Sequence, residues 1–263
     1  MQALGKGTYT GDIITMVGDD DVIASITCYQ KSDFNNERHC HDNTNISFVI
    51  HGGCKLKKKD TGELLPGRLT FNYAGEYHQV MNVADDSRHV NIEIEQTFYE
   101  RYLTSENNIS ALTKKPDFIF LMLKIYKELV ADDQFSKPSI HLLLFNLLAH
   151  SEKLANTSAL PSWVKKIDEL LRDDRNETIT LHGMAAITGV HPVTISKYFP
   201  RYFSCTLGEY MRKLKIERSL SLIKSPGNSL TSIAYACGFF DQSHFTRTFK
   251  EVTGFLPAQY QKW

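Results

Sequence analysis

"SIAYACGFFDQSHFTRTFKEVTGFLP", residues 232–257, sets Gly238 inside a run otherwise patterned as helix. The apolar stripe stops at that glycine, resumes behind Asp241, and carries Gln242, Ser243, Thr246 and Arg247 on its outer side, with Lys250 further along. A helix that ends at a glycine and hands over to a second helix capped by an aspartate fits a helix-turn-helix, whose turn needs a positive φ that glycine adopts freely. Ala234 is then small because the second helix packs over it, and Phe245, Thr248 and Phe249 are its buried face. The outward residues carry the donors and acceptors that read base edges.

A weaker copy lies upstream. Leu181, Ala185, Gly189 and Val190 match Leu230, Ala234, Gly238 and Phe239 at an offset of 49, and after one extra residue Ile195, Ser196, Lys197, Phe199 and Tyr210 match Phe245, Thr246, Arg247, Phe249 and Tyr260 at an offset of 50. Pro192 suits the first turn of the second helix in this copy. Between the copies, residues 206–225 ("TLGEYMRKLKIERSLSLIKS") lack proline and contain one early glycine. At ~1.5 Å per residue such a helix spans about 30 Å, near the ~34 Å of one DNA turn, so it could set two reading helices in successive major grooves.

Charge separates along the chain in the same sense. Residues 1–159 hold 16 Lys and Arg against 21 Asp and Glu, whereas residues 160–263 hold 14 against 9, so only the second part suits a polyanion. The five cysteines (Cys28, Cys40, Cys54, Cys205, Cys237) are scattered, with no C-x-x-C pair, which argues against a disulfide framework or a zinc finger and fits a cytoplasmic protein. No secretory signal is visible in the first thirty residues, and the longest apolar runs, such as "FIFLML" at 118–123, are too short to span a membrane. "GKG" at 5–7 lacks the upstream glycine of a phosphate-binding loop.

Three regions follow from periodicity. Residues 10–96 alternate short β-branched and aromatic runs ("IASITCYQ", "ISFVIHG", "HVNIEIE") with turn residues, as in a compact antiparallel β domain. Residues 97–155 read as helices, two of them, at 117–131 and 139–152, apolar on more than one side. Phe118, Leu121, Met122, Ile125 and Leu129 form one stripe; Phe120, Leu123, Tyr126 and Val130 form another, for which a second subunit is the expected cover. "NTSALPS" at 156–162 reads as a linker, and the rest is helical.

The stretch from Ser229 to Gln261 resembles the signature of AraC/XylS-type transcription regulators through Ile233-Ala234, Gly238-Phe239, Ser243, Phe245, Arg247, Phe249-Lys250, Gly254, Pro257 and Tyr260. The resemblance covers about the last hundred residues and implies a seven-helix domain with two helix-turn-helix units, at about 181–203 and 230–252. It implies base-facing roles for Val193, Ser196 and Lys197 in the first unit and for Gln242, Ser243, Thr246 and Arg247 in the second. Departures fall in the first copy, where His191 replaces a serine cap, Pro200 a lysine and Ser204 a glycine, and where Gly183 sits inside a helix.

"HCH" at 39–41 with His78 invites a metal reading. Gly67-x5-Tyr73-x-Gly75-x2-His78-x3-Asn82 resembles the second motif of a cupin barrel, with Tyr73 in place of proline. The first motif expects a glutamate ligand where Asn45 and Ile46 stand, so the expectation is no bound metal and no cofactor. AraC-type regulators commonly join such a barrel to a C-terminal DNA reader. The implied fold is α+β in two domains: a cupin-like β-barrel with flanking helices over 1–155, and an all-α domain over 163–263. The implied partners are double-stranded DNA, a small-molecule effector, a second copy of the chain and RNA polymerase. His39, His41, Tyr73 and His78 are the effector-site candidates; ordinary packing is the alternative for each. Two other functions stay open: a cupin-type enzyme with an appended DNA-binding domain, and a constitutive regulator whose barrel only dimerises.

Overall fold

The computed structural model describes residues 2–31, 37–155, 161–172 and 179–263. Strands come first: β1 (Gln2–Leu4), β2 (Asp12–Gly18), β3 (Val22–Tyr29), β4 (His39–His41), β5 (Thr44–His51), β6 (Cys54–Lys57), β7 (Thr61–Leu64), β8 (Leu69–Asn72), β9 (Gln79–Met81) and β10 (Ser87–Ile94). Helices α1 (Gln96–Arg101), α2 (Glu106–Thr113), α3 (Pro116–Ala131) and α4 (Ser136–Ala155) follow. Seven more complete the described residues: α5 (Ser162–Arg172), α6 (Leu181–Thr188), α7 (Pro192–Phe203), α8 (Leu207–Lys224), α9 (Leu230–Ala236), α10 (Gln242–Thr253) and α11 (Pro257–Gln261). None of these helices is long and apolar enough to cross a membrane.

The strands do not close into one hydrogen-bonded barrel among the described residues. They form an antiparallel five-stranded sheet in the order β2-β3-β10-β5-β8, an antiparallel three-stranded sheet β7-β6-β9, and a parallel pair β1-β4. Register in the large sheet sorts its residues sharply by face. One face carries apolar rows, Ala24–Ile92–Ile46–Phe71 and Ile26–Val90–Phe48–Leu69. The other carries Ser25–Asn91–Ser47–Thr70 and Glu93–Asn45–Asn72, and these polar rows are also largely buried. Period-two alternation is therefore present, but here the polar side faces inward.

Packing divides the chain into two compact units, Met1–Leu144 with Lys215–Trp263, and Phe145–Leu214. In the first, α3 lies against β2, β3 and β10, and against α2 and α10. That corrects the expectation for the second stripe of α3: Phe120, Leu123 and Tyr126 are buried within the chain, Tyr126 with its ring 4.9 Å from that of Trp263, and only Val130 stays exposed. The second unit has its own core of Ile167, Leu171, Met184, Ile195, Phe199 and Tyr210. Residues 156–160 of the expected linker lie outside the described residues. The five cysteines are free thiols.

Candidate functional site

The opening stretch folds as its residues dictate. Ser229 caps α9 by accepting from the Ser232 N–H at 3.0 Å, and the helix ends where Gly238 takes φ +72°. The Phe239 N–H reaches the Ala234 carbonyl and the Gly238 N–H the Tyr235 carbonyl, both at 2.9 Å, so the last carbonyls of α9 are satisfied by a Schellman turn. Asp241 then caps α10, accepting from the His244 N–H at 2.7 Å. Phe245, Thr248, Phe249 and Thr253 face the core, and Ala234 is fully buried. Gln242, Ser243, Arg247 and Lys250 are exposed, with Thr246 half-buried. The Thr231 hydroxyl bonds the Gln242 side-chain oxygen, which fixes that amide at the first turn.

The upstream copy repeats this plan with different atoms. Thr180 caps α6 and Gly189 ends it at φ +71°. His191 takes the cap of α7 by accepting from the Val193 N–H on Nδ1 at 3.3 Å, so an imidazole does there what a hydroxyl does elsewhere, with Pro192 as the first helical residue. Ile195 and Phe199 are buried; Val193, Ser196 and Lys197 are exposed. Pro200 withdraws an N–H from α7, and Ser204 closes it in the left-handed region at φ +59°.

The histidines of the N-terminal region do converge. On β4, His39 and His41 share one face, and an isolated bridge pairs His39 with His78, their backbone bonds being 2.9 and 2.8 Å. The three rings lie 4.4 to 5.5 Å apart and all are buried. With Asn45, Ser47, Thr70, Asn72, His89 and Asn91 they line a cavity of about 30 Å³. Burial, with His78 and His39 alongside, pushes His41 down to about 3; burial, with His39 alongside, pushes His78 down to about 4. His39 is lowered by burial. Tyr73 does not join them: its hydroxyl bonds Asn107 at 3.3 Å, on the rim of a separate depression of about 390 Å³.

Residues 184–262 match the family model described as a helix-turn-helix domain. The probable transcription factor PqrA of Proteus vulgaris is 32% identical over 88 residues, which are 34% of this chain and 72% of PqrA. The chain belongs to the AraC/XylS family of transcriptional regulators. The HTH-type transcriptional regulator GbdR of Pseudomonas aeruginosa is 28% identical over 94 residues, so the match spans 36% of this chain and only 26% of GbdR. The Msm operon regulatory protein of Streptococcus mutans is 21% identical over 237 residues, 84% of each chain.

Two further exposed residues, His244 and Tyr198, adjoin the base-facing candidates. His244 is exposed in the first turn of α10 beside Ser243, and Tyr198 is exposed on α7 beside Lys197, whose ammonium lies 5.6 Å from its ring centre. Helical periodicity alone puts both on outward positions, next to residues already singled out.

Proposed function

We propose that this chain is a sequence-specific, double-stranded-DNA-binding transcription regulator of the cytoplasm whose N-terminal region, about residues 1–155, sets its binding or activating state. The DNA-reading part is about 163–263, after a linker at 156–162. One observation carries this reading: α10 emerges from a satisfied glycine turn with an aromatic face buried and Gln242, Ser243, Arg247 and Lys250 outward. Val193, Ser196 and Lys197 on α7 and Thr246 on α10 complete the proposed contacts. Dimerisation and contact with RNA polymerase belong to the same proposal.

Arg247 and Lys250 have different tasks in it. Arg247 lies about one turn beyond Gln242 and Ser243, where its fork of donors pairs with guanine O6 and N7. Lys250 lies toward the helix end, where a point charge on the phosphate backbone is enough. Arg247→Ala is expected to lose ~1–3 kcal/mol on the preferred operator and far less on scrambled DNA; Lys250→Ala should weaken both alike and lower the salt slope by about one. Equal losses on both DNAs for Arg247→Ala would make it a phosphate anchor and sink the assignment.

Enzymatic chemistry finds little support in the interior. Ser47 and Ser87 each hydrogen bond His89, at 3.2 and 3.1 Å, but the cavity that Ser47 and His89 line, of about 30 Å³, is too small for an organic substrate. Organic effectors usually occupy ~300–1,000 Å³. Within this reading such an effector suits the depression of about 390 Å³ lined by Thr44, Ala74, Tyr99, Glu106 and Asn107, which Tyr73 borders. The interior histidines then serve an occupant of ionic size.

A further inference from the structure

The polar rows of the large sheet, with His39 and His41 of β4 and His78 just before β9, make a buried site with unspent ligand capacity. Nδ1 of His39 lies 3.1 Å from the Glu37 carbonyl oxygen, and Nδ1 of His78 lies 3.1 Å from that of Glu76. A carbonyl only accepts, so each Nδ1 carries the proton and each Nε2 keeps its lone pair. Outer hydrogen bonds of this kind fix the tautomer of metal-ligating histidines. In the same cavity Nδ1 of His41 and Nδ2 of Asn45 are buried without a hydrogen-bond partner. Buried polar atoms without protein partners call for a water or an ion. The three histidines each offer a ligating atom, all within 4.8 Å of one another. In a tetrahedral site with bonds of ~2.0–2.1 Å the nitrogens stand ~3.3 Å apart, so modest turns of the rings complete the set.

We propose that His39, His41 and His78 bind a first-row divalent transition-metal ion. Three imidazoles without a carboxylate select Zn²⁺, Co²⁺ or Ni²⁺ over Ca²⁺ and Mg²⁺, which require oxygen ligands. Glu93, on the same sheet face, is already engaged by the Gly7 N–H at 2.8 Å and the Asn43 amide at 2.9 Å. Three histidines with an open fourth position are a sufficient zinc set without a carboxylate. A cavity of about 30 Å³ takes an ion and a water, at ~10–15 Å³ of such volume per water.

The test uses the full-length protein, stripped with chelator and checked for native circular dichroism, then titrated with Zn²⁺ by calorimetry and with Co²⁺ by visible absorption. One ion per chain is expected, with Co²⁺ giving the intense visible bands of a low-coordinate nitrogen site. His41→Gln and His78→Gln should each lower affinity by more than the ~10–100-fold that a lost outer partner costs. Asn45→Glu, which restores a carboxylate, should raise affinity at least about tenfold, a gain that misfolding cannot imitate. Folded wild-type protein that takes up neither ion, or uptake that survives both histidine replacements, would overturn the proposal. So would an Asn45→Glu variant that stays folded but binds no tighter.

Discussion

Ser204 and Gly254 are equivalent residues of the two copies, each ending the second helix of its unit in the left-handed region, at φ +59° and +85°. For a residue with a Cβ that conformation costs ~1–2 kcal/mol, whereas a glycine loses ~0.5–1 kcal/mol more backbone entropy on folding. Ser204→Gly should therefore stabilise its unit by about 0.5–1 kcal/mol. Trp163 makes this measurable: it stacks edge-on against Tyr202 at 5.6 Å in the unit Phe145–Leu214, while the only other tryptophan, Trp263, lies in the other unit. In a Trp263→Phe background, the denaturation midpoint seen by Trp163 fluorescence should rise. No rise would mean that Ser204 is unstrained. The sequence identified this position as a departure from the family pattern, because a cap is a local feature that one residue type decides. The replacement of a serine cap by His191 was visible for the same reason, although its use of Nδ1 was not.

At the scale of elements, the two helix-turn-helix units were legible and the sheets only in part. Caps, turn glycines and buried aromatics act within a dozen residues, so their spacing survives in one dimension. Both turn glycines test this. A Cβ on Gly189 would meet open space, but on Gly238 it would come within 3.3 Å of the Lys215 ammonium, which also donates to the Gly238 carbonyl. Gly189→Ala should cost ~1–2 kcal/mol for its backbone alone, and Gly238→Ala more, because Lys215 must also give way. Thermal melts of the two variants compare them, and a cheaper Gly238→Ala would refute the role given to Lys215. The sheet posed a harder problem. Strand β5 is buried on both faces, with Ile46, Phe48 and Ile50 on one side and Asn45 and Ser47 on the other, and alternation cannot say that the polar side is the interior. Likewise the 3.6-residue period marked α3 as helix and as apolar all round, yet Trp263, which meets Tyr126 of its second face, lies more than a hundred residues further along the chain. Convergence of His39, His41 and His78 was suggested by spacing, while the exclusion of Tyr73 depended on which way a turn residue points.

The whole molecule couples α10 to the sheets more directly than its sequence order suggests. Lys215–Trp263 packs in one unit with Met1–Leu144: Arg68 pairs with Glu217 at 3.7 Å, and Tyr126 lies on Trp263. If that packing sets the cooperative unit, Trp263 should report the unfolding of the sheets rather than that of the first helix-turn-helix. In a Trp163→Phe variant, Trp263 fluorescence and the sheet signal in far-ultraviolet circular dichroism should therefore change at one denaturant concentration. Tyr126→Ala should lower that midpoint and leave the Trp163 transition of the parent protein where it was, since removing a buried aromatic destabilises only the unit it fills, by ~3–5 kcal/mol. A ligand bound among the sheets stabilises by mass action whatever unfolds with them, so it should raise the Trp263 midpoint and spare that of Trp163. Through this coupling an occupant of the N-terminal region would act on α10 without touching it. Should Trp263 instead unfold together with Trp163 and apart from the sheets, the last hundred residues form one cooperative domain, and control of α10 by the sheet region must run through some contact other than α3.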